Sequence, residues 1–77
     1  MHVPIVLAKN MKDGEAVMKS IGLDPRITAV IDQPRYVRYV TFGNETVFAH
    51  HNVSTKILDA YQKYSQGTEA QLKIITP

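Results

Sequence analysis

The chain has no cysteine among its 77 residues, so neither a disulfide nor a cysteine-ligated zinc ion can stabilise its core. A chain of this length forms one domain, whose single core supplies only roughly a few kcal/mol of net stability. Apolar residues make up 44% of the sequence, which is ordinary for a folded protein. We therefore predict one small domain over residues 1–77, stabilised by close packing or by self-association.

The same composition bears on where the protein acts. Absence of cysteine is compatible with the reducing cytoplasm, and residues 1–4 lack the basic start and long apolar stretch of a signal peptide. No apolar run approaches the roughly 20 residues needed to cross a bilayer. The formal net charge of +2 is too small to indicate nucleic-acid binding by itself. We expect a cytoplasmic protein without membrane contact.

Two helices are predicted from apolar spacing and from capping residues. The first covers residues 11–21, begins after a cap at Asn10 or Asp13, and ends at Gly22, which suits a left-handed helix end. The second covers residues 53–65 and begins near Asn52 or Ser54, with apolar residues at helical spacing on one side.

Five segments have the apolar or β-branched character of strands, and together with the helices they predict the order β-α-β-β-β-α-β. Gly43-Asn44 indicates a hairpin turn between two of these strands. We therefore predict an α+β fold: a mostly antiparallel sheet with both helices on one face and the other face free for a partner. The predicted strands cover residues 5–8, 27–31, 35–42, 45–50 and 70–76. The predicted core comprises Ile5, Leu7, Val17, Ile21, Val30, Ile57, Tyr61, Leu72 and Ile74.

The strand predicted over residues 35–42 carries the candidate binding residues Arg35, Tyr36, Arg38 and Tyr39. Alternation along a strand would place Arg35 and Tyr39 on one face of the sheet and Tyr36 and Arg38 on the other. Arginines and aromatic residues on an open sheet are typical of RNA-recognition domains, in which bases stack on aromatic rings. The segment departs from the RNA-recognition consensus, because Tyr36 and Arg38 stand where small residues belong.

Metal binding and catalysis have little support in the sequence. His50 and His51 are adjacent, and neighbouring strand residues point to opposite faces, so they are poorly placed to chelate one ion with or without His2. The favoured interpretation is a pair at a strand end or in a loop. None of the three serines lies in a nucleophile elbow, and no glycine belongs to a phosphate-binding loop. We predict no metal, no cofactor and no catalytic residue.

Residues 47–64 resemble the segment that precedes the zinc motifs of D-Ala-D-Ala-type metallopeptidases. The resemblance covers a short part of the chain. The zinc-binding residues that this family needs have no counterpart in the sequence, so the resemblance implies no activity.

The leading functional hypothesis is a non-catalytic interaction protein that acts through a protein surface and forms a homodimer. Accessory or inhibitory proteins of phages and mobile elements often have this size and lack catalytic motifs. One alternative is weak binding of single-stranded nucleic acid through Arg35, Arg38 and the neighbouring tyrosines. Another alternative is a small enzyme whose site follows no known motif.

Overall fold

Helices and strands alternate along the chain in the computed structural model, which describes residues 3–77. A short 3-10 helix occupies much of the segment predicted as the third strand. The elements, in chain order, are β1 (Ile5–Leu7), α1 (Met11–Ile21), β2 (Ala29–Ile31), the 3-10 helix (Pro34–Tyr39), β3 (Thr46–His50), α2 (Thr55–Ser65) and β4 (Gln71–Ile75).

The four strands form one sheet in the order β2-β1-β3-β4, and every pair is parallel. Ile5 of β1 is in register with Ala29 on one side and with Val47 on the other. The predicted antiparallel meander is therefore wrong. Gly43-Asn44 does not join two paired strands, because β3 pairs with β1 and β4, and residues 40–45 belong to no strand.

Helices lie on both faces of the sheet, so the prediction of two helices on one face is also wrong. The α1 side chains Val17 and Met18 pack with Val6 and Ile75 on one face. Ile57 and Tyr61 of α2 pack on the other face, together with Val37 of the 3-10 helix. Right-handed crossovers explain this, because β1 to β2 and β3 to β4 advance in opposite directions across the sheet.

The predicted bounds of α1 are confirmed, and α2 ends at residue 65 as predicted but begins at Thr55 rather than at residue 53. The Asn10 side chain accepts a hydrogen bond of 2.8 Å from the Asp13 N–H, which identifies Asn10 as the cap of α1. Gly22 adopts φ 76°, and the N–H groups of Gly22 and Leu23 both donate to the Met18 carbonyl oxygen. Ser54 caps α2 by accepting from the Lys56 N–H.

The core predictions hold for the middle of the sheet and fail at its edge. Ile5, Leu7, Val17, Ile57 and Tyr61 are buried as predicted, and two further core candidates are half-buried, Ile21 and Val30. Leu72 and Ile74 are instead 36% and 51% exposed. They share a face with Val47 and Ala49, but the core under α2 draws its side chains from β1, β2 and β3 and leaves edge strand β4 uncovered.

Helix α1 approaches the sheet closely at Gly14. A Cβ atom at this position would lie 2.6 Å from Cγ1 of Val30, well inside van der Waals contact. Val30 has a stiff χ1 angle, so its methyl groups cannot turn aside freely. Gly14 is therefore required by packing, although glycine is a poor helix former.

Replacing Ile57 with Ala should lower the free energy of unfolding by about 2–5 kcal/mol, because a fully buried side chain would leave a cavity. Ile74→Ala removes the same atoms from an exposed site and should change it by about 0.5 kcal/mol or less. Urea unfolding of both variants measures the difference. Equal losses would contradict the burial described for the two residues.

Gly14→Ala should destabilise the protein even though alanine favours helix formation by about 1 kcal/mol. Overpacking against Val30 should cost about 1–3 kcal/mol and exceed that gain. In a Val30→Ala background the clash disappears, and Gly14→Ala should become neutral or stabilising. A double-mutant cycle by urea unfolding measures the coupling. A Gly14→Ala protein that is more stable with Val30 intact would disprove the close approach.

Candidate functional site

The 3-10 helix begins with proline and carries all but the last residue of an exact tripeptide repeat. Pro34 occupies the first turn, where its fixed φ and missing N–H are tolerated, and Arg-Tyr-Val then occurs twice, over residues 35–37 and 38–40. A 3-10 helix has three residues per turn, so residues three apart lie above one another. The repeat therefore aligns the two arginines and the two tyrosines along the helix, and Val40 follows the last helical residue in an extended conformation.

The valines hold this helix against the protein. Val37 is fully buried in the core under α2, and Val40 is partly buried against the same cluster. The Val40 N–H donates to the Val37 carbonyl oxygen at 3.1 Å, which closes the last turn. Beyond it, Phe42 meets the Tyr61 ring edge-on with centroids 5.2 Å apart.

Tyr61 is buried beneath Phe42, which follows the 3-10 helix. Burial raises the pKa of the Tyr61 hydroxyl, outweighing a hydrogen bond with Ser65 that lowers it, and the nearby Glu45 carboxylate adds to the rise. Tyr61 therefore stays neutral at physiological pH and serves as packing for Phe42.

The arginines and tyrosines form the outer surface of the 3-10 helix, which we call the Arg–Tyr face (Arg35, Tyr36, Arg38 and Tyr39). The Arg35 guanidinium carbon lies 5.1 Å from the centre of the Tyr36 ring, and one of its nitrogens lies 3.3 Å from the Tyr36 hydroxyl. Arg38 repeats the arrangement with Tyr39 at 4.9 Å and 2.8 Å. Tyr36 and Tyr39 are 41% and 71% exposed. Each arginine is thus held by its neighbouring tyrosine.

This geometry corrects the predicted placement of the four candidate residues. The strand model put Arg35 and Arg38 on opposite faces of a sheet, whereas the helix aligns them on one side. The three-residue repeat in the sequence matches the period of a 3-10 helix, whereas the two-residue alternation of a strand predicts the wrong arrangement. A sheet platform for stacking bases is therefore absent from this segment.

Neither arginine of the Arg–Tyr face forms an ion pair with a described residue. Within residues 3–77 the ion pairs are Lys9 with Asp13 and Arg26 with Asp24. Hydrogen bonds from the Arg26 side chain and backbone lower the pKa of Asp24, as expected for a paired carboxylate. Arg35 and Arg38 have no such partner among residues 3–77, and the nearest acidic residues in the sequence, Asp32 and Glu45, flank the segment. The Arg–Tyr face therefore presents two positive charges that form no ion pair within the described residues.

An open groove of about 320 Å³ lies beside the last tyrosine of this face, and we call it the Tyr39 groove. Its walls are mostly apolar. One carboxylate oxygen of Glu45 accepts from the Gly43 N–H at 2.8 Å, and its other oxygen is buried without a hydrogen-bond partner in the described part of the chain. The described lining residues are Val3, Ile5, Ala29, Tyr39, Val40, Thr41 and Glu45.

The histidines lie at the opposite, carboxyl end of the strands. The His50 and His51 rings stack with centroids 4.5 Å apart, so they do not point to opposite faces as neighbouring strand residues do. The predicted strand-end pair is confirmed, because β3 ends at His50. His51 has already left the strand, and the His50 Nδ1 accepts from the Asn52 N–H at 3.0 Å. His2 lies outside the described residues. Within residues 3–77 no group of three or more potential ligands could hold a metal ion.

No helix in the described part of the chain is both long enough and apolar enough to cross a membrane. Protein-family models, curated proteins and solved structures give no match to this chain. Its function must therefore be inferred from the exposed side chains themselves.

Proposed function

We propose that this chain is a small, non-catalytic, cytoplasmic interaction protein that binds another protein through its Arg–Tyr face. The observation that carries the proposal is the repeated pairing of an exposed tyrosine with an arginine that lacks a carboxylate partner among residues 3–77. Tyrosine and arginine are enriched in protein interfaces and in the residues that dominate binding energy. The absence of cysteine is compatible with the cytoplasm.

Pre-organisation supports the same proposal. A flexible arginine normally loses rotamer freedom when it binds, which costs about 0.5–1.5 kcal/mol for each immobilised side chain. Here the tyrosine hydroxyls already accept from the guanidinium groups, and Val37 anchors the helix in the core. The ordering cost on binding is therefore reduced.

Single-stranded nucleic acid remains the alternative partner, because two aligned arginines can also contact phosphates. Two features disfavour it. The guanidinium groups lie over the tyrosine rings on which bases would stack, and the net charge is only +2.

Self-association stays a prediction. The free sheet face on which the sequence analysis based it is not found, because helices lie on both faces of the sheet. The exposed apolar side chains of the sheet that remain are Leu72 and Ile74 on the unpaired edge of β4. Sedimentation at high micromolar concentration should detect a dimer, and a monomer throughout that range would contradict the prediction.

Photocrosslinking tests the proposed function with a matched control. Tyr36 and Tyr64 are both 41% exposed, and each has a cation near its ring, Arg35 at 5.1 Å and Lys63 at 5.4 Å. With p-benzoylphenylalanine at Tyr36, irradiation in the cell of origin should give a covalent adduct to a second protein. The same residue at Tyr64 should not give that adduct.

Two further variants test whether the adduct depends on the Arg–Tyr face. Arg38→Ala in the Tyr36-labelled protein should abolish the adduct, because it removes a neighbouring charge of the Arg–Tyr face. Lys12→Gln on α1, across the sheet, should leave the adduct unchanged. The same protein adduct from both tyrosine positions, or one insensitive to Arg38→Ala, would refute binding through this face.

Titration with a fluorescent single-stranded oligonucleotide at two salt concentrations distinguishes a nucleic-acid partner from a protein partner. We expect no salt-sensitive binding up to about 100 μM, because only two phosphates could be contacted. Binding that weakens as salt rises, and that is lost in both Arg35→Ala and Arg38→Ala, would favour nucleic acid. Both substitutions are expected to act alike, since the arginines share one side of the helix.

A further inference from the structure

The spacing of the two arginines restricts what can bind them. Arg35 and Arg38 are separated by one turn of a 3-10 helix, which rises about 2.0 Å per residue, so the arginine positions repeat at about 6 Å. Both lie on the same side of the helix. A ligand that engages both arginines must therefore present two negative groups about 6 Å apart and facing the same way.

An extended peptide meets both conditions. Its backbone rises about 3.2–3.4 Å per residue, and side chains at alternate positions point the same way. Carboxylates at positions i and i+2 are therefore spaced by about 6.6 Å. Carboxylates on adjacent residues would point to opposite sides, and only one of them could reach this face.

We propose that the Arg–Tyr face binds an extended acidic segment of the partner with the pattern acidic-x-acidic-x-apolar, an inference that rests on the proposed function. The two carboxylates pair with Arg35 and Arg38. The apolar side chain, two positions further on the same side, enters the Tyr39 groove. A six-residue helix is too short for a standard interface of about 800 Å² per partner, which also favours a short segment as ligand.

Carboxylates suit the free donors of this face. A guanidinium carries five N–H donors, and each of these arginines directs one nitrogen to its tyrosine hydroxyl. The remaining donors can form paired hydrogen bonds with a carboxylate. The contact with the tyrosine orients the planar guanidinium group, so these donors are oriented before the ligand arrives.

Glu45 makes a peptide the better ligand than a polynucleotide. Its carboxylate lines the Tyr39 groove, so it would repel a phosphate that continued past Arg38. A peptide of the proposed pattern places an uncharged side chain there instead.

The test uses two fluorescent peptides with identical composition. One contains Asp-Ser-Asp-Ser-Leu and the other Asp-Asp-Ser-Ser-Leu, each flanked by serines and blocked at both ends. We expect the alternating peptide to bind at least about tenfold more tightly, because only it can engage both arginines. Its affinity should fall as salt rises, since the charges are exposed and screened.

Variants assign the binding to this face. Arg35→Ala and Arg38→Ala should each reduce the affinity for the alternating peptide to that for the adjacent-Asp peptide. Lys12→Gln, which removes one charge from α1, should leave the preference for alternation intact. Unchanged circular dichroism and melting temperature of each variant establish that the fold is retained.

The outcomes distinguish this inference from the proposed function. Equal or absent binding of the two peptides overturns the alternating acidic pattern, whereas a Tyr36-specific protein adduct would still support binding through the face. Absence of both the adduct and peptide binding overturns both proposals. Tighter binding of a single-stranded oligonucleotide than of the alternating peptide also overturns the pattern and assigns the face to nucleic acid.

Discussion

Parallel pairing of the strands is the constraint on which this structure depends. Two parallel neighbours cannot be joined by a tight turn, so the chain must return along the sheet after each strand. α1 and α2 do so between adjacent strands. The link from β2 to β3 must also pass over β1, and its only regular element is the 3-10 helix. Because such a helix rises about 2.0 Å per residue against 1.5 Å in an α-helix, it covers this distance with fewer residues.

This crossover links the fold to the candidate site. Val37 lies in the core with Leu7, Ile57 and Tyr61, and its neighbours on either side are a tyrosine and an arginine exposed to solvent. The same helix that buries Val37 aligns the charged and aromatic side chains outside. The geometry of the Arg–Tyr face is therefore set by the requirement to connect two parallel strands within a short chain.

The sequence was sufficient to predict the helices because their ends depend on nearby residues. Asn10, Gly22 and Ser54 act within one turn of their own positions, and the structure confirms all three. Strand pairing depends on residues distant in the sequence, and a local turn signal such as Gly43-Asn44 does not report which strands pair. Leu72 and Ile74 alternate as buried strand residues do, but alternation cannot show that a strand lies at the edge. The sequence brings Arg35, Tyr36, Arg38 and Tyr39 together in one segment, but strand alternation predicts the wrong arrangement for them, because the segment forms a 3-10 helix.

The pairing order also has a consequence for folding during synthesis. β2 pairs with β1, β3 pairs with the free edge of β1, and β4 pairs with the free edge of β3. Each new strand can thus join an edge that an earlier strand already offers, and none must be inserted between two paired strands. As the ribosome releases the chain from its amino end, the sheet can grow outward in the order of translation. In that order β4 is the last strand to join, and it forms one outer edge of the sheet while β2 forms the other.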